Sequence, residues 1–98
     1  MTTWYSKELG DGAQAFAPSG KIQEAFMALA MQKQLPYDLA VFSEHDHRRN
    51  TVTAYFSPAA KLLAEIFGAQ PCDPPQRSSR FGLLVGDARA WDLLFPQK

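Results

Sequence analysis

The sequence predicts an α+β fold: a two-layer sandwich in the order ββα-ββα-β, two helices lying on one face of a mostly antiparallel sheet of four or five strands. Three stretches carry that reading. Tyr37–Gly68, YDLAVFSEHDHRRNTVTAYFSPAAKLLAEIFG, places two apolar runs around a charged tip and follows them with an amphipathic segment, the pattern of strand, turn, strand, helix. Gly10-Asp11-Gly12 is a turn signal behind a β-favouring start at Trp4-Tyr5. Phe81–Val85 is apolar without alternation, as in a strand covered on both faces.

The 98 residues are enough for one domain, 1–98, with a thin core, because a short chain buries a smaller share of its surface than a long one. A hydrophobic content of 46% with 20% charged residues places the chain among globular proteins rather than disordered ones. The formal net charge is zero, which removes any global attraction to nucleic acid or anionic lipid. One cysteine, Cys72, excludes an intramolecular disulfide and fits a reducing compartment. The segment MTTWYSKELGDG lacks the apolar core of a signal peptide, and no run reaches membrane-spanning length. A soluble, cytoplasmic chain is expected.

Taken in order, Trp4–Leu9 reads as a strand, and Ala13–Ala17 as its return partner after the glycine turn. Ser19 is placed to cap a helix over Gly20–Gln34, with Ile22, Ala25, Phe26, Leu29 and Ala30 on one stripe. Met27 and Met31 lie nearly opposite that stripe and form a second, smaller apolar patch. Leu35-Pro36 ends the helix. Leu39–Phe42 reads as a buried strand, the turn falls within Asp46–Asn50, and Thr51–Phe56 alternates as the next strand. Ser57-Pro58 opens a second helix whose buried stripe is Ala59, Leu62, Leu63, Ile66 and Phe67, stopped by Gly68. Gln70–Arg80, with three prolines, reads as a long loop before the strand Phe81–Val85. Gly86-Asp87 then turns the chain into a short helical segment carrying Trp91, Leu94 and Phe95, ended by Pro96.

Sliding the chain by about forty positions aligns Phe16 with Phe56, Pro18 with Pro58, Lys21 with Lys61 and Ile22 with Leu62. The match hints at a duplicated ββα unit. The resulting βαββαβ order resembles the ferredoxin-like fold in element order. One feature departs from it. There the last strand sits at an edge, yet Phe81–Val85 is among the most apolar strands here, so it is either interior or covered by a partner.

No motif in the chain names a reaction, and no cofactor is expected. His45 and His47 share a side if their stretch is extended, next to Glu44 and Asp46, but two histidines fall short of a zinc ligand set. A solvated hairpin tip accounts for them, and no metal is assigned. Arg48 and Arg49, with Arg77 and Arg80 from the long loop, form an anion pocket if tip and loop meet. Cys72 sits beside Asp73, with no local positive charge to activate a thiolate. Pro18-Ser19-Gly20-Lys21 fails as a phosphate loop, because Ala15 and Ile22 stand where Gly and Ser or Thr are needed.

The expected function is a non-catalytic interaction domain acting as a homodimer. Two helices cover one sheet face only, yet two strands are apolar on both faces, and a two-fold partner supplies the missing cover. Met27, Met31 and Tyr55 are the expected interface residues. Folding back of Trp91–Phe95 over the open face is the monomeric alternative. A competing class is a small-molecule or metal-binding protein or enzyme using His45, His47, Arg48 and Arg49 with the 70–80 loop as a lid. Single-stranded nucleic acid stacking on Tyr55, with Trp4 or Tyr5, is a third reading that the zero net charge disfavours.

Overall fold

The alternating run Thr51–Phe56 becomes a strand and takes the middle of the sheet, where its two faces need different cover. The computed structural model describes residues 3–78 and 80–95. Its strands are β1 (Trp4–Asp11), β2 (Val41–Asp46), β3 (Thr51–Phe56), β4 (Gln70–Cys72) and β5 (Phe81–Val85). They form one open sheet in the order β4-β1-β3-β2-β5, and every neighbouring pair is antiparallel. The helices are α1 (Phe16–Gln32), α2 (Lys61–Phe67) and α3 (Ala90–Leu94), with a 3₁₀ turn at Pro58–Ala60 leading into α2. No helix among the described residues is long and apolar enough to cross a membrane.

Neighbours along a strand face opposite sides, and this divides the core in two. Val41 and Phe56 pair and lie with Ile22 of α1 and Leu63 of α2. Phe42 pairs with Tyr55 on the other face and lies with Trp4, Ala90, Trp91 and Phe95. Val41, Phe42 and Phe56 are all fully buried. The α+β class is therefore as expected, but the two-layer arrangement is not. The C-terminal segment folds back as α3 and adds a third layer over the face that had seemed to need a partner.

The strand order also differs from expectation. Ala13–Ala17 is not a strand: Asp11 Oδ1 accepts the backbone N–H groups of Ala13 at 3.0 Å and Gln14 at 2.8 Å, and the chain turns into α1. An alanine-rich segment is better suited to a helix than to a sheet. Strand β1 consequently has no hairpin partner and pairs with β3 and β4 instead. Helix α1 begins before Gly20, with Pro18 in the first turn, where its missing N–H costs nothing, and Ser19 inside the helix rather than capping it. Residues Gln70–Cys72, expected within a loop, pair with β1 as an edge strand, a place that tolerates Pro71. Strand β2 begins at Val41 and runs to Asp46, beyond the expected Leu39–Phe42. The turn at residues 47–50 lies inside the expected span. Phe81–Val85 is a strand as expected, but it pairs with β2 at the edge opposite β4. Pro96, expected to end the last helix, lies outside the described residues.

The second helix shows how a local distortion changes a face. Its first turn is 3₁₀, with three residues per turn, so the α-helical stripe projected from Pro58 loses phase. Ala60, Leu63 and Ala64 are buried, whereas Leu62 and Ile66, expected inside, are 57% and 62% exposed. On α1, Ile22 is buried and Ala25, Phe26 and Leu29 are partly buried as expected, but Ala30 is exposed. Gly68 ends α2 at φ 70, and its N–H reaches the carbonyls of Ala64 and Glu65. The suggested duplication does not extend to the elements. Phe16 starts a helix while Phe56 ends a strand, and Ile22 is buried while Leu62 is exposed.

Ser57 holds the junction between sheet and helix layer. It occupies the capping position, but its hydroxyl makes no cap bond. Instead Ser57 Oγ accepts the Ala40 N–H at 3.0 Å and donates to the Asp38 carbonyl at 2.7 Å. The residue is fully buried, so nothing else solvates those groups. Ser57→Ala is expected to cost about 1–3 kcal/mol in urea unfolding, the penalty for a buried backbone group left unpaired. A loss below about 0.5 kcal/mol would show that the hydroxyl is not the tie.

Candidate functional site

Asp46 organises the charged hairpin tip. Its Oδ1 accepts the backbone N–H of Arg48 at 3.0 Å and of Arg49 at 3.5 Å, and Asn50 takes a left-handed conformation at φ 52. His45, the penultimate residue of β2, turns to the α1 face with its partner Val52. Its Nε2 lies 3.0 Å from Asn50 Oδ1, a contact that requires the proton on Nε2. The His47 ring stands 4.4 Å from the His45 ring, centroid to centroid, so the structure does bring the two imidazoles together. Cys72 is not near them. It pairs with Trp4 at the start of β1, whereas the tip lies opposite Asp11 at its end, roughly 20 Å away along the strand. Among the described residues, no group of three or more His, Cys, Asp and Glu is placed to hold a metal ion.

Two of the four arginines have partners of their own. Arg49 turns towards Glu8 on β1, 3.7 Å away and largely exposed, an arrangement that contributes little energy. Arg77 lies over the Trp91 ring at 4.7 Å, holding the 73–78 segment against α3. Arg48 and Arg80 are exposed. Loop and hairpin do meet, but through a carboxylate: Ser78 Oγ donates to Glu44 Oε2 at 3.4 Å. Glu8, Glu44 and Asp46 share the α3 face of the sheet with Thr51 and Thr53. That part of the face is acidic and would repel a phosphate backbone.

Tyr55, expected at an interface, is only partly exposed. Its ring meets Phe81 edge-on at 5.5 Å, and its hydroxyl lies 3.5 Å from Glu44 Oε1. Trp4, the other candidate stacking platform, is buried under α3. Burial, then the charges of Glu44 and Cys72 and the hydrogen bond to Glu44, hold the Tyr55 phenol above its ordinary pKa of 10.0. The fold favours the protonated phenol. Its contribution to stability is fully present below the unfolded value and is lost as pH rises through the raised one. Spectrophotometric titration is expected to show a tyrosine component above pH 10 that Tyr55→Phe removes. An unchanged high-pH component in that variant would contradict this placement.

The expected interface methionines are where a partner can reach them. Met27 is 58% exposed and Met31 85%, both on α1. Met27 also lines an open groove of about 360 Å³ between α1 and β5, with Phe26, Leu84 and Val85. On the other helix, Leu62 borders a groove of about 230 Å³ against Leu29 and Lys33. Sequence reasoning missed Leu62 and Ile66 because the phase of α2 is set by the 3₁₀ turn, which Pro58 alone does not reveal. No family model matches the chain, and no curated protein or solved structure matches it.

Proposed function

We propose that the chain is a non-catalytic interaction domain that works as a homodimer, with α1 contributing to the interface. One observation supports this above others: α1 leaves Met27 and Met31 in solvent, Met27 on the wall of an open apolar groove. Methionine is common where a surface adapts to a partner, and apolar patches of this kind mark contact sites. The apolar part of the second sheet face does not need a partner, because α3 covers it. Exposed apolar side chains lie instead on the helix layer, at Met27, Met31, Leu62 and Ile66.

The unit from β1 to β4 resembles the ferredoxin-like order, with β5 and α3 as additions beyond it. A cytoplasmic location is part of the same proposal, in keeping with the free thiol of Cys72.

A second reading rests on the adjacent rings of His45 and His47, which offer two nitrogen ligands to a small molecule or metal. The two readings separate experimentally. Met27→Glu is expected to weaken self-association about tenfold or more, as measured by sedimentation equilibrium. His45→Ala and His47→Ala are expected to leave it unchanged and to remove no bound mass in native mass spectrometry. A ligand or metal lost from either histidine variant would favour the hairpin tip instead.

A further inference from the structure

Strand β5 ends the sheet beside β2, and the two edges of the sheet are unlike. The β4 edge is three residues long and contains Pro71, two devices that discourage a further strand. The β5 edge, Phe81-Gly82-Leu83-Leu84-Val85, carries neither charge nor proline. The Phe81 N–H is taken by the Ser78 carbonyl at 3.2 Å; the remaining backbone groups that face away from β2 form a donor and acceptor row that another extended segment matches.

The surroundings of β5 are equally specific. Val41 pairs with Val85 while Phe42 pairs with Leu83, so Leu84 is an extra residue in the ladder. Leu84 and Val85 both join the helix-side core, and they wall the groove that Met27 overhangs. Phe81 and Leu83 pack on the α3 side. Apolar surface therefore continues to the edge on both faces. The strand is preceded by Arg80 and followed, after Gly86, by Asp87.

We infer that β5 is the seam of the homodimer: the β5 strands of two copies pair antiparallel about a two-fold axis and join two five-stranded sheets into one. This rests on the self-association proposed above and names its surface. Antiparallel pairing centred on Leu83 sets Arg80 of each copy opposite Gly86 of the other, next to its Asp87. The two ends are related by the two-fold, as an isologous contact requires, and Arg80 meets an Asp87 whose Oδ1 already holds Arg89 of its own chain at 3.3 Å. Met27 of each copy then lies over the seam.

The test is sedimentation equilibrium with amide hydrogen exchange on the full chain. Gly82→Lys puts a charge on the edge without disturbing the fold, since an added Cβ meets only Ser43 Oγ at 3.9 Å. Arg80→Glu, at an exposed position, sets a second carboxylate beside the other copy's Asp87. Both are expected to weaken dimerisation about tenfold or more. Amides of residues 81–85 should gain protection as protein concentration rises, while Ile66→Glu on α2 leaves the dimer intact. A dimer that survives Gly82→Lys but yields to Met27→Glu would overturn the seam and keep the interaction reading. A wild-type chain that stays monomeric at millimolar concentration would overturn both. Protection of 81–85 by a co-purified peptide, seen as added mass on a monomer, would overturn the second copy as the occupant.

Discussion

Val41 and Phe42 are adjacent on β2, point to opposite faces of the sheet and are both fully buried. That pair of burials is the constraint the rest of the structure answers to, because a sheet residue is buried only if something covers its side. Helices α1 and α2 cover one side. On the other, a five-residue helix is enough because aromatic rings bury much area per residue. Phe42 sits among Trp91 at 4.7 Å, Phe95 at 5.3 Å and Trp4 at 6.1 Å, all tilted or edge-on to it. The chain must reverse directly after β5 to deliver this cluster. It does so at Gly86, whose φ of 126 and close approach to Ala40 exclude a side chain.

The covering of both sheet faces shifts attention from the sheet to its margins. Polar groups near the hairpin tip and the adjoining acidic face are largely engaged with one another: Asp46 with its own turn, His45 with Asn50, Arg49 with Glu8, and Glu44 with Tyr55 and Ser78. A cluster so occupied is a self-contained turn before it is a ligand site. The Met27 and Met31 side chains on α1 and the backbone edge of β5 are in the opposite condition: they face outward, and burial against another chain offsets that exposure.

Much of the site was legible and part was not. The exposure of Met27 and Met31 follows from helical period, whereas His47 meets His45 from the turn rather than from an extended strand. Where the arginines go does not follow from spacing. Arg77 and Arg49 are directed by partners distant in sequence, Trp91 and Glu8, which only the folded chain brings near. Tyr55 looked available because its strand alternates cleanly, and it is packed because Phe81 and Glu44 lie beside it.

The sequence by itself determined the α+β class, the β2–β3 hairpin and its turn, the helical segments and the Gly68 stop. These are decided within a few residues by side-chain period, turn chemistry and backbone freedom. Only the tertiary structure decided the strand order, the promotion of Gln70–Cys72 to a strand, the placing of Phe81–Val85 at an edge, and the use of α3 as a third layer. Each of those depends on contacts between residues far apart in the chain. A run that is apolar on both sides is equally consistent with a central strand and with an edge strand, and local pattern holds no information about which neighbour arrives.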